Sequence, residues 1–187
     1  TRPPPSPYRP DPSAVLRGQE IYERTCAVCH AAGGERALTV IPVEEVGTDR
    51  HRVEMWTDAA RDAYNGYREG YDWGFKSFQN VEGYMPPLHE GLWLQAPYLH
   101  NGSVPTLADL LEPPERRPVA FVRGLETLDP ERGGFAAPAC DPAAPVRRGP
   151  RLCLDTTLPG NGNGGHRYGT DLPADAKADL LAWLLTR

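Results

Sequence analysis

The hydrophobic and polar positions near the start of the chain predict a helix over residues 14–25. Ser13 stands directly before this segment, and serine is a residue type that commonly caps a helix N-terminus. Gly18 and Tyr22 are four residues apart and therefore share one face of the helix. Because glycine has no side chain, we expect another helix to approach this face closely.

A second helix is predicted at the end of the chain, over residues 173–185. Pro173 suits the first helical position, and Asp175 in the first turn complements the positive end of the helix dipole. A broad apolar face is formed by four residues, Leu180, Leu181, Trp183 and Leu184. We expect the two terminal helices to pack on each other.

The segment between these helices contains fewer regular patterns. Short helices are predicted from position 48 or 49 to position 56 and over residues 106–111. Residues 113–160 are rich in proline and glycine, and residues 119–123 are the one strand-like run within them. We find no internal repeat, so the middle of the chain is predicted to be mostly loop.

The first twelve residues carry prolines at positions 3, 4, 5, 7, 10 and 12. Proline lacks a backbone N–H and has a fixed φ, so residues 1–12 are predicted to form an extended, polyproline-like arm. We expect this arm to act as a tether or a docking strap. The remaining residues, 13–187, are expected to form one domain, because a chain of 187 residues with 40% hydrophobic content can bury one core.

Composition and charge exclude several functional classes. The formal net charge of -5 and the absence of a basic stripe argue against a nucleic-acid partner. The longest apolar runs are only a few residues long, so we expect no transmembrane segment in this chain. The sequence begins at Thr1 rather than at methionine. We therefore expect a processed form, although the sequence does not show whether a signal or an anchor preceded Thr1.

The most informative motif is Cys26-Ala-Val-Cys-His30, because Cys-x-x-Cys-His is the attachment pattern of c-type haem. In that chemistry the thiols of Cys26 and Cys29 bond covalently to the porphyrin, and the His30 imidazole becomes the proximal iron ligand. A thioredoxin-like redox motif would need a preceding strand, and a zinc site would need a second ligand pair at short spacing. Neither context is present, so one covalent haem c is the predicted cofactor.

The two remaining cysteines, Cys140 and Cys153, lie in a loop-like, proline-rich tract. A disulfide between them is the simplest assignment, and two unpaired structural cysteines are the alternative. Closing this loop would stabilise the fold by roughly 3 kcal/mol in the chain-entropy model. Haem attachment and a disulfide both favour an oxidising compartment, so we expect a periplasmic or extracellular location.

Several segments resemble a known family. The motif region resembles the first helix of class I cytochromes c, and the end of the chain resembles their last helix. Other segments resemble the C-terminal haem half of dihaem cytochrome c peroxidase-like proteins, in particular the branch with the haem-dependent rubber oxygenases. These segments are Val46-Gly-Thr-Asp, residues 91–107, Leu128-Asp-Pro with Gly134-Phe, and residues 160–172. Members of that family carry two Cys-x-x-Cys-His sites, whereas this chain has one.

The resemblance implies a mostly α fold, namely a cytochrome c-like helical haem domain with a long loop-rich insertion and minor β structure. The half that it matches is the electron-transfer half, so the catalytic haem of the family is expected to be missing here. A monohaem domain over residues 13–187 follows from this expectation.

The ligand opposite His30 decides between an electron carrier and an enzyme. His166 is favoured, because it follows a glycine-asparagine run that can turn tightly and lies seven residues before Pro173, and the resemblance points to the same residue. Met85 in Tyr-Met-Pro-Pro and an open sixth position remain alternatives. The other side chains with suitable donor atoms are His51, His89, His100 and Met55.

Other candidate residues are assigned roles around the haem. His100 is expected to bond a propionate or a backbone carbonyl without touching iron. Trp93, Tyr98 and Trp183 are expected to pack around the porphyrin. His51 and His89 are expected to be solvated surface residues.

These features predict an electron carrier rather than an enzyme, with a six-coordinate c-type haem that passes single electrons between redox partners. The expected partner is a redox protein or a larger electron-transfer complex, including one built of like subunits. The alternative function is a haem peroxidase or oxygenase with an open or displaceable sixth iron site.

Overall fold

A computed structural model describes residues 3–67, 69–72, 77–144 and 151–187. Helices and strands together hold less than half of these residues, and loops hold the rest. The helices are α1 (Pro12–Thr25), α2 (Ala27–His30), α3 (Val43–Val46), α4 (His51–Glu54), α5 (Asp58–Gly66), α6 (Leu107–Leu110) and α7 (Ala174–Leu184). The strands are β1 (Ile41–Pro42), β2 (Gly83–Tyr84), β3 (Ala120–Arg123) and β4 (Leu152–Asp155), and short 3₁₀ turns cover Leu92–Leu94 and Pro114–Arg116.

The first predicted helix is present as α1, but its cap is different from the prediction. Asp11 is the N-cap, and its carboxylate accepts hydrogen bonds from the backbone N–H groups of Ser13 and Ala14. Proline at the first helical position has no N–H to satisfy, so Pro12 begins the helix and the capping role moves to the residue before it. Ser13 therefore lies inside the first turn.

The predicted packing of the terminal helices is confirmed. A Cβ atom on Gly18 would lie 2.0 Å from the carbonyl oxygen of Asp179, so only glycine lets α1 approach α7 this closely. One turn later Tyr22 stacks on Trp183 with ring centroids 3.8 Å apart. At the exposed edge, Arg17 and Asp179 form a bidentate ion pair. The paired helices form the frame on which the cavity described below is built.

The described residues in the middle of the chain form two small antiparallel sheets. Strands β1 and β2 pair Ile41 with Tyr84, and strands β3 and β4 pair Phe121 with Leu154. The predicted strand at 119–123 is confirmed as β3, and the predicted helices at 48–56 and 106–111 are present in shorter form as α4 and α6. The predicted disulfide joins Cys140 to Cys153, with Cα atoms 5.9 Å apart.

The described part of the proline-rich arm, residues 3–12, is packed on the domain. The Tyr8 ring is only 8% exposed and belongs to the main hydrophobic core, and its hydroxyl accepts a hydrogen bond from the Gly134 N–H. Trp93 donates from its indole N–H to the Pro4 carbonyl at 3.4 Å. Proline prevents regular structure in this arm, but it does not prevent a buried aromatic anchor.

The helices α1, α4, α6 and α7 correspond to helices expected from the sequence, whereas α3 and α5 were not expected. The mostly α, cytochrome c-like fold class stays a prediction. None of the helices in the described ranges is long and apolar enough to cross a bilayer.

Candidate functional site

One cavity of about 370 Å³ opens between the motif region, the 84–100 segment and the loop before α7. Its volume lies within the range of about 300–1,000 Å³ that is typical of cofactor and ligand pockets. Four of the five histidines of the chain line it, together with both motif cysteines. Its walls are otherwise mostly apolar, and they include Ile41, Val46, Leu92, Leu107, Leu110 and Leu184.

The motif cysteines are presented by a break between two helices. Cys26 ends α1 and caps α2, and its carbonyl accepts hydrogen bonds from the N–H groups of Cys29 and His30. This single turn brings both thiols and the His30 imidazole to the same cavity, as the spacing predicted. Neither Cys26 nor Cys29 is in a disulfide. Burial raises the pKa of the Cys26 thiol to about 11.

His30 is oriented from outside the motif. Its Nδ1–H donates to the Pro87 carbonyl oxygen at 2.7 Å, which fixes the tautomer with Nε2 as the unprotonated nitrogen. The backbone of His30 is also held, because its carbonyl accepts from the His89 N–H at 3.1 Å. Burial lowers the pKa of His30, although the bond to Pro87 opposes this shift. The result is a neutral, oriented imidazole of the kind that ligates a metal.

His166 reaches the same cavity from the loop before α7. Its backbone has a φ of 44°, a left-handed conformation that costs a non-glycine residue about 1–3 kcal/mol. The His166 N–H donates to the Val46 carbonyl at 2.7 Å, which ties the loop to the end of α3. Burial lowers the pKa of His166 to about 4, so this imidazole is also neutral near pH 7.

The glycine-asparagine run before His166 is fixed by the 101–103 segment. Asn101 donates to the carbonyls of Gly160 and Gly162, and the buried Ser103 hydroxyl donates to Gly162 at 3.0 Å. Gly165 has a φ of 72°, and a Cβ at this position would lie 2.3 Å from the backbone of Gly47. The loop therefore needs glycine both for its turn and for its contact with the α3 end.

The distance between the His30 and His166 rings fits a metal ion between them. Their ring centroids are 6.1 Å apart, with an angle of 56° between the ring planes. Two metal–nitrogen bonds of about 2 Å, with about 1 Å from each nitrogen to its ring centre, would separate the centroids by about 6 Å. The pair is therefore spaced to hold one metal ion between the two rings.

Unsatisfied polar atoms provide a second test of fit. Within the described ranges, the buried side-chain nitrogen and oxygen atoms without a hydrogen-bond partner are Thr48 Oγ1, His89 Nδ1, His100 Nε2 and His166 Nδ1. All four residues line this cavity. Buried polar atoms normally have partners, so a cluster of unpartnered atoms at one cavity indicates a bound group that supplies partners to some of them. The cavity offers two thiols at one edge, apolar walls and a pair of imidazoles. This combination fits a haem with polar propionate groups.

His89 contradicts its predicted place on the surface. Its ring lines the cavity and stacks on the His30 ring, with centroids 4.0 Å apart and an interplanar angle of 19°. Burial lowers the pKa of His89 to about 3. The local sequence carries no signal for this position, because it follows from the Pro87 carbonyl contact that brings the segment against His30.

The other candidate residues divide between the cavity and the surface. His100 lines the cavity and stacks on Tyr84 at 4.2 Å, and the buried Tyr98 forms part of the wall. Met85 also lines the cavity but is 56% exposed, so it lies at the mouth. Exposed side chains of His51 and Met55 lie outside the lining.

The two predicted packing tryptophans lie elsewhere. Trp93 does not line the cavity, because the 3₁₀ turn that carries it directs the indole to the proline-rich arm. Trp183 is occupied by Tyr22 on α1 and by the Arg187 guanidinium over its ring at 4.2 Å. Both tryptophans therefore pack against the arm or the terminal helices and do not form the cavity wall. Sequence inspection also missed residues at or beside the site, among them Pro87, Thr48, Asn101 and Arg117.

Residues 83–122 match the family described as RoxA-like, cytochrome c-like. This stretch contains Pro87, His89, Tyr98 and His100, but neither the Cys26–His30 motif nor His166. The match supports a cytochrome c-like domain over a short part of the chain and, with it, a haem-binding, cytochrome-type function.

Two proteins of Sinorhizobium fredii are similar in sequence. The uncharacterized protein y4iM is 28% identical over 203 aligned residues, which cover 95% of this chain and 46% of that protein. The uncharacterized protein y4iJ is 37% identical over 135 residues, which cover 67% of this chain and 20% of that protein. The chain thus spans less than half the length of either relative.

Proposed function

We propose that this chain is a monohaem c-type cytochrome domain that carries single electrons. Cys26 and Cys29 would hold the haem covalently, and His30 and His166 would ligate its iron. The observation that carries the proposal is the pair of neutral, half-buried imidazoles with centroids 6.1 Å apart in the cavity that both motif cysteines line.

Each of these residues has a distinct part in the proposal. Pro87 orients His30 through the Nδ1–H hydrogen bond, so Nε2 is left for iron. The loop at 160–166 brings His166 to the cavity that His30 also lines. Haem iron would supply the one-electron Fe(III)/Fe(II) chemistry, at a potential below that of a His/Met site, since thioether ligation raises it. His100 and Thr48, which have unpartnered buried polar atoms, would bond the propionates.

The location and partners are part of the same proposal. The Cys140–Cys153 disulfide and covalent haem attachment both support an oxidising compartment, the periplasm or beyond. A single haem makes one electron hop, so a redox protein or a larger electron-transfer complex is the proposed partner. Met85, Val28 and Tyr168 line the cavity and are each partly exposed, which leaves an apolar mouth available for that contact.

The test compares two ligand variants, His166→Ala and Met85→Ala, with the unmodified protein. Mass measurement of the denatured protein should show one haem added to the polypeptide. The unmodified protein should give a low-spin spectrum and bind carbon monoxide slowly. His166→Ala should give a high-spin spectrum and bind carbon monoxide at least about tenfold faster, because it would remove one of the two protein ligands to iron.

Met85→Ala is the matched control, because Met85 is the other candidate ligand at the same cavity. It should leave the low-spin spectrum unchanged. A near-infrared sulfur-to-iron band in the native ferric protein would instead assign the ligand to Met85. A native protein that is already high-spin and turns over peroxide would replace electron transfer with the peroxidase or oxygenase alternative.

A further inference from the structure

A buried arginine lies directly behind the loop that carries His166. The Arg117 residue is only 3% exposed, and its guanidinium donates hydrogen bonds to backbone carbonyls alone. Three of these bonds go to the loop at 160–166, here called the distal loop. Their lengths are 2.6 Å to Asn163, 2.9 Å to Gly165 and 3.1 Å to His166. The other two go to Glu112 and Leu110, next to α6. One side chain thus joins the distal loop to the 110–117 segment.

The charge of Arg117 is not matched by a carboxylate. No salt bridge involves Arg117 in the part of the chain that the structure describes, whereas its neighbour Arg116 is exposed and pairs with Glu112 at 3.6 Å. Burial lowers the pKa of Arg117 to about 10, which leaves it charged at neutral pH. A buried charge without a counter-ion is costly unless its hydrogen bonds are satisfied, and five carbonyls satisfy this one.

Three of the five Arg117 hydrogen bonds reach the segment that contains the strained residue His166. The His166 backbone is in the left-handed region, which persists only where the surroundings hold it. Its N–H is held by the Val46 carbonyl at 2.7 Å, and its own carbonyl is held by Arg117 at 3.1 Å. Fixing both peptide groups of His166 fixes the direction in which its imidazole leaves the loop.

We propose that Arg117 is a positioning residue that holds the 163–166 segment in the one conformation that presents the His166 imidazole opposite His30. The planar guanidinium is needed because it donates in several directions at once, which a lysine ammonium on a flexible stem cannot match. This inference rests on the proposed function, since it takes His166 as the distal ligand. Arg117 itself touches no reacting group.

The test uses haem-loaded protein carrying Arg117→Gln, Arg117→Lys or Arg116→Gln. Arg116→Gln is the matched control, because it removes the same charge one residue away without touching the loop. Arg117→Lys keeps the charge and provides a second variant if Arg117→Gln does not fold. Two quantities are measured for each protein: amide hydrogen exchange of the 158–170 segment, and the rate of carbon monoxide binding to the reduced haem.

Both Arg117 variants should exchange the 158–170 amides faster while α1 and α7 stay protected. They should also bind carbon monoxide about 10-fold to 100-fold faster than Arg116→Gln, the range expected when an outer partner of a metal ligand is lost. Unchanged exchange would overturn the proposal, and so would faster exchange with an unchanged carbon monoxide rate.

The rate of carbon monoxide binding to the unmodified protein distinguishes a failure of this inference from a failure of the proposed function. If the unmodified protein binds carbon monoxide as fast as His166→Ala does, the proposed ligation fails, and the ligand-positioning role of Arg117 fails with it. If the unmodified protein is slow and only the Arg117 variants are fast, both proposals are supported. If the unmodified protein is slow and the Arg117 variants are equally slow, the ligation stands and only the role of Arg117 is rejected.

Discussion

At the scale of single residues, the His30 side of the cavity depends on contacts that no local pattern encodes. His30 is held at its ring by the Pro87 carbonyl and flanked by the parallel ring of His89 at 4.0 Å. The Nδ1 atom of His89 is buried without a partner among the described residues, which is unfavourable for stability. A residue kept at such a cost beside His30 is a candidate for controlling the orientation of the His30 ring.

We predict that His89→Leu raises the stability of the protein and changes the orientation of the His30 ring. Leucine fills the apolar site without a polar atom to satisfy, so the free energy of unfolding should rise by about 1 kcal/mol. Without the stacked ring, His30 should turn about its axis, which should shift the g values of the low-spin ferric haem in electron paramagnetic resonance. His51→Leu, at an exposed histidine, is the control and should change neither quantity. Unchanged g values in His89→Leu would assign His89 to packing alone.

At the scale of elements, the domain is organised by the α1–α7 pair and by the arm that lies across its end. Gly18 permits the close crossing, and Tyr22 and Trp183 fill the space beside it. Tyr8 adds an aromatic ring to the same core from outside the helices. The proline-rich arm is therefore a structural element of the domain, whatever it also contacts in a complex.

We predict that Tyr8→Ala lowers the free energy of unfolding by about 3 kcal/mol, because it removes a buried aromatic side chain and leaves a cavity. Arg9→Ala, at the exposed neighbouring position, should change the free energy by no more than about 0.5 kcal/mol. Chemical denaturation of the haem-loaded proteins measures both. If the Tyr8→Ala protein is as stable as the Arg9→Ala control, the arm is a detached tether and not part of the packed domain.

At the scale of the whole molecule, the chain is held together by more than its helices. The long loops of the middle segment are anchored by the Cys140–Cys153 disulfide at β4 and by side-chain bonds to loop carbonyls around the cavity. The unsatisfied polar atoms are gathered at the cavity itself. A bound cofactor would thus complete the core of a domain whose regular structure is limited.

We predict that thiol labelling of the unfolded, unreduced holoprotein finds no reactive cysteine. Cys140 and Cys153 are joined to each other, and Cys26 and Cys29 would be bonded to haem. Reduction before labelling should expose two thiols, at positions 140 and 153 only. Replacing both of these residues with serine should lower the free energy of unfolding by about 3 kcal/mol. Labelling of Cys26 or Cys29 in the unreduced protein would contradict covalent haem attachment.

The sequence by itself determined the features whose information is local. The two terminal helices, the strand at β3 and the turn that presents Cys26, Cys29 and His30 follow from periodicity, glycine and proline positions, and spacing over a few residues. The disulfide also followed, since only two cysteines remained outside the motif. The choice of His166 came from its glycine-rich loop and from resemblance, and its role as a ligand stays a prediction.

Only the tertiary structure decided which distant residues surround these features. Pro87 reaches His30 across 57 positions of sequence, and Arg117 reaches the carbonyls of Asn163 to His166 across 46 to 49 positions. The same is true of His89, predicted on the surface and found in the cavity wall, and of Trp93, predicted at the cofactor and found against the arm. The physical reason is that backbone carbonyls and ring faces are common to many residues, so sequence does not specify which partner they meet. Chain packing brings one particular donor to one particular carbonyl, and this step determines the geometry of the site.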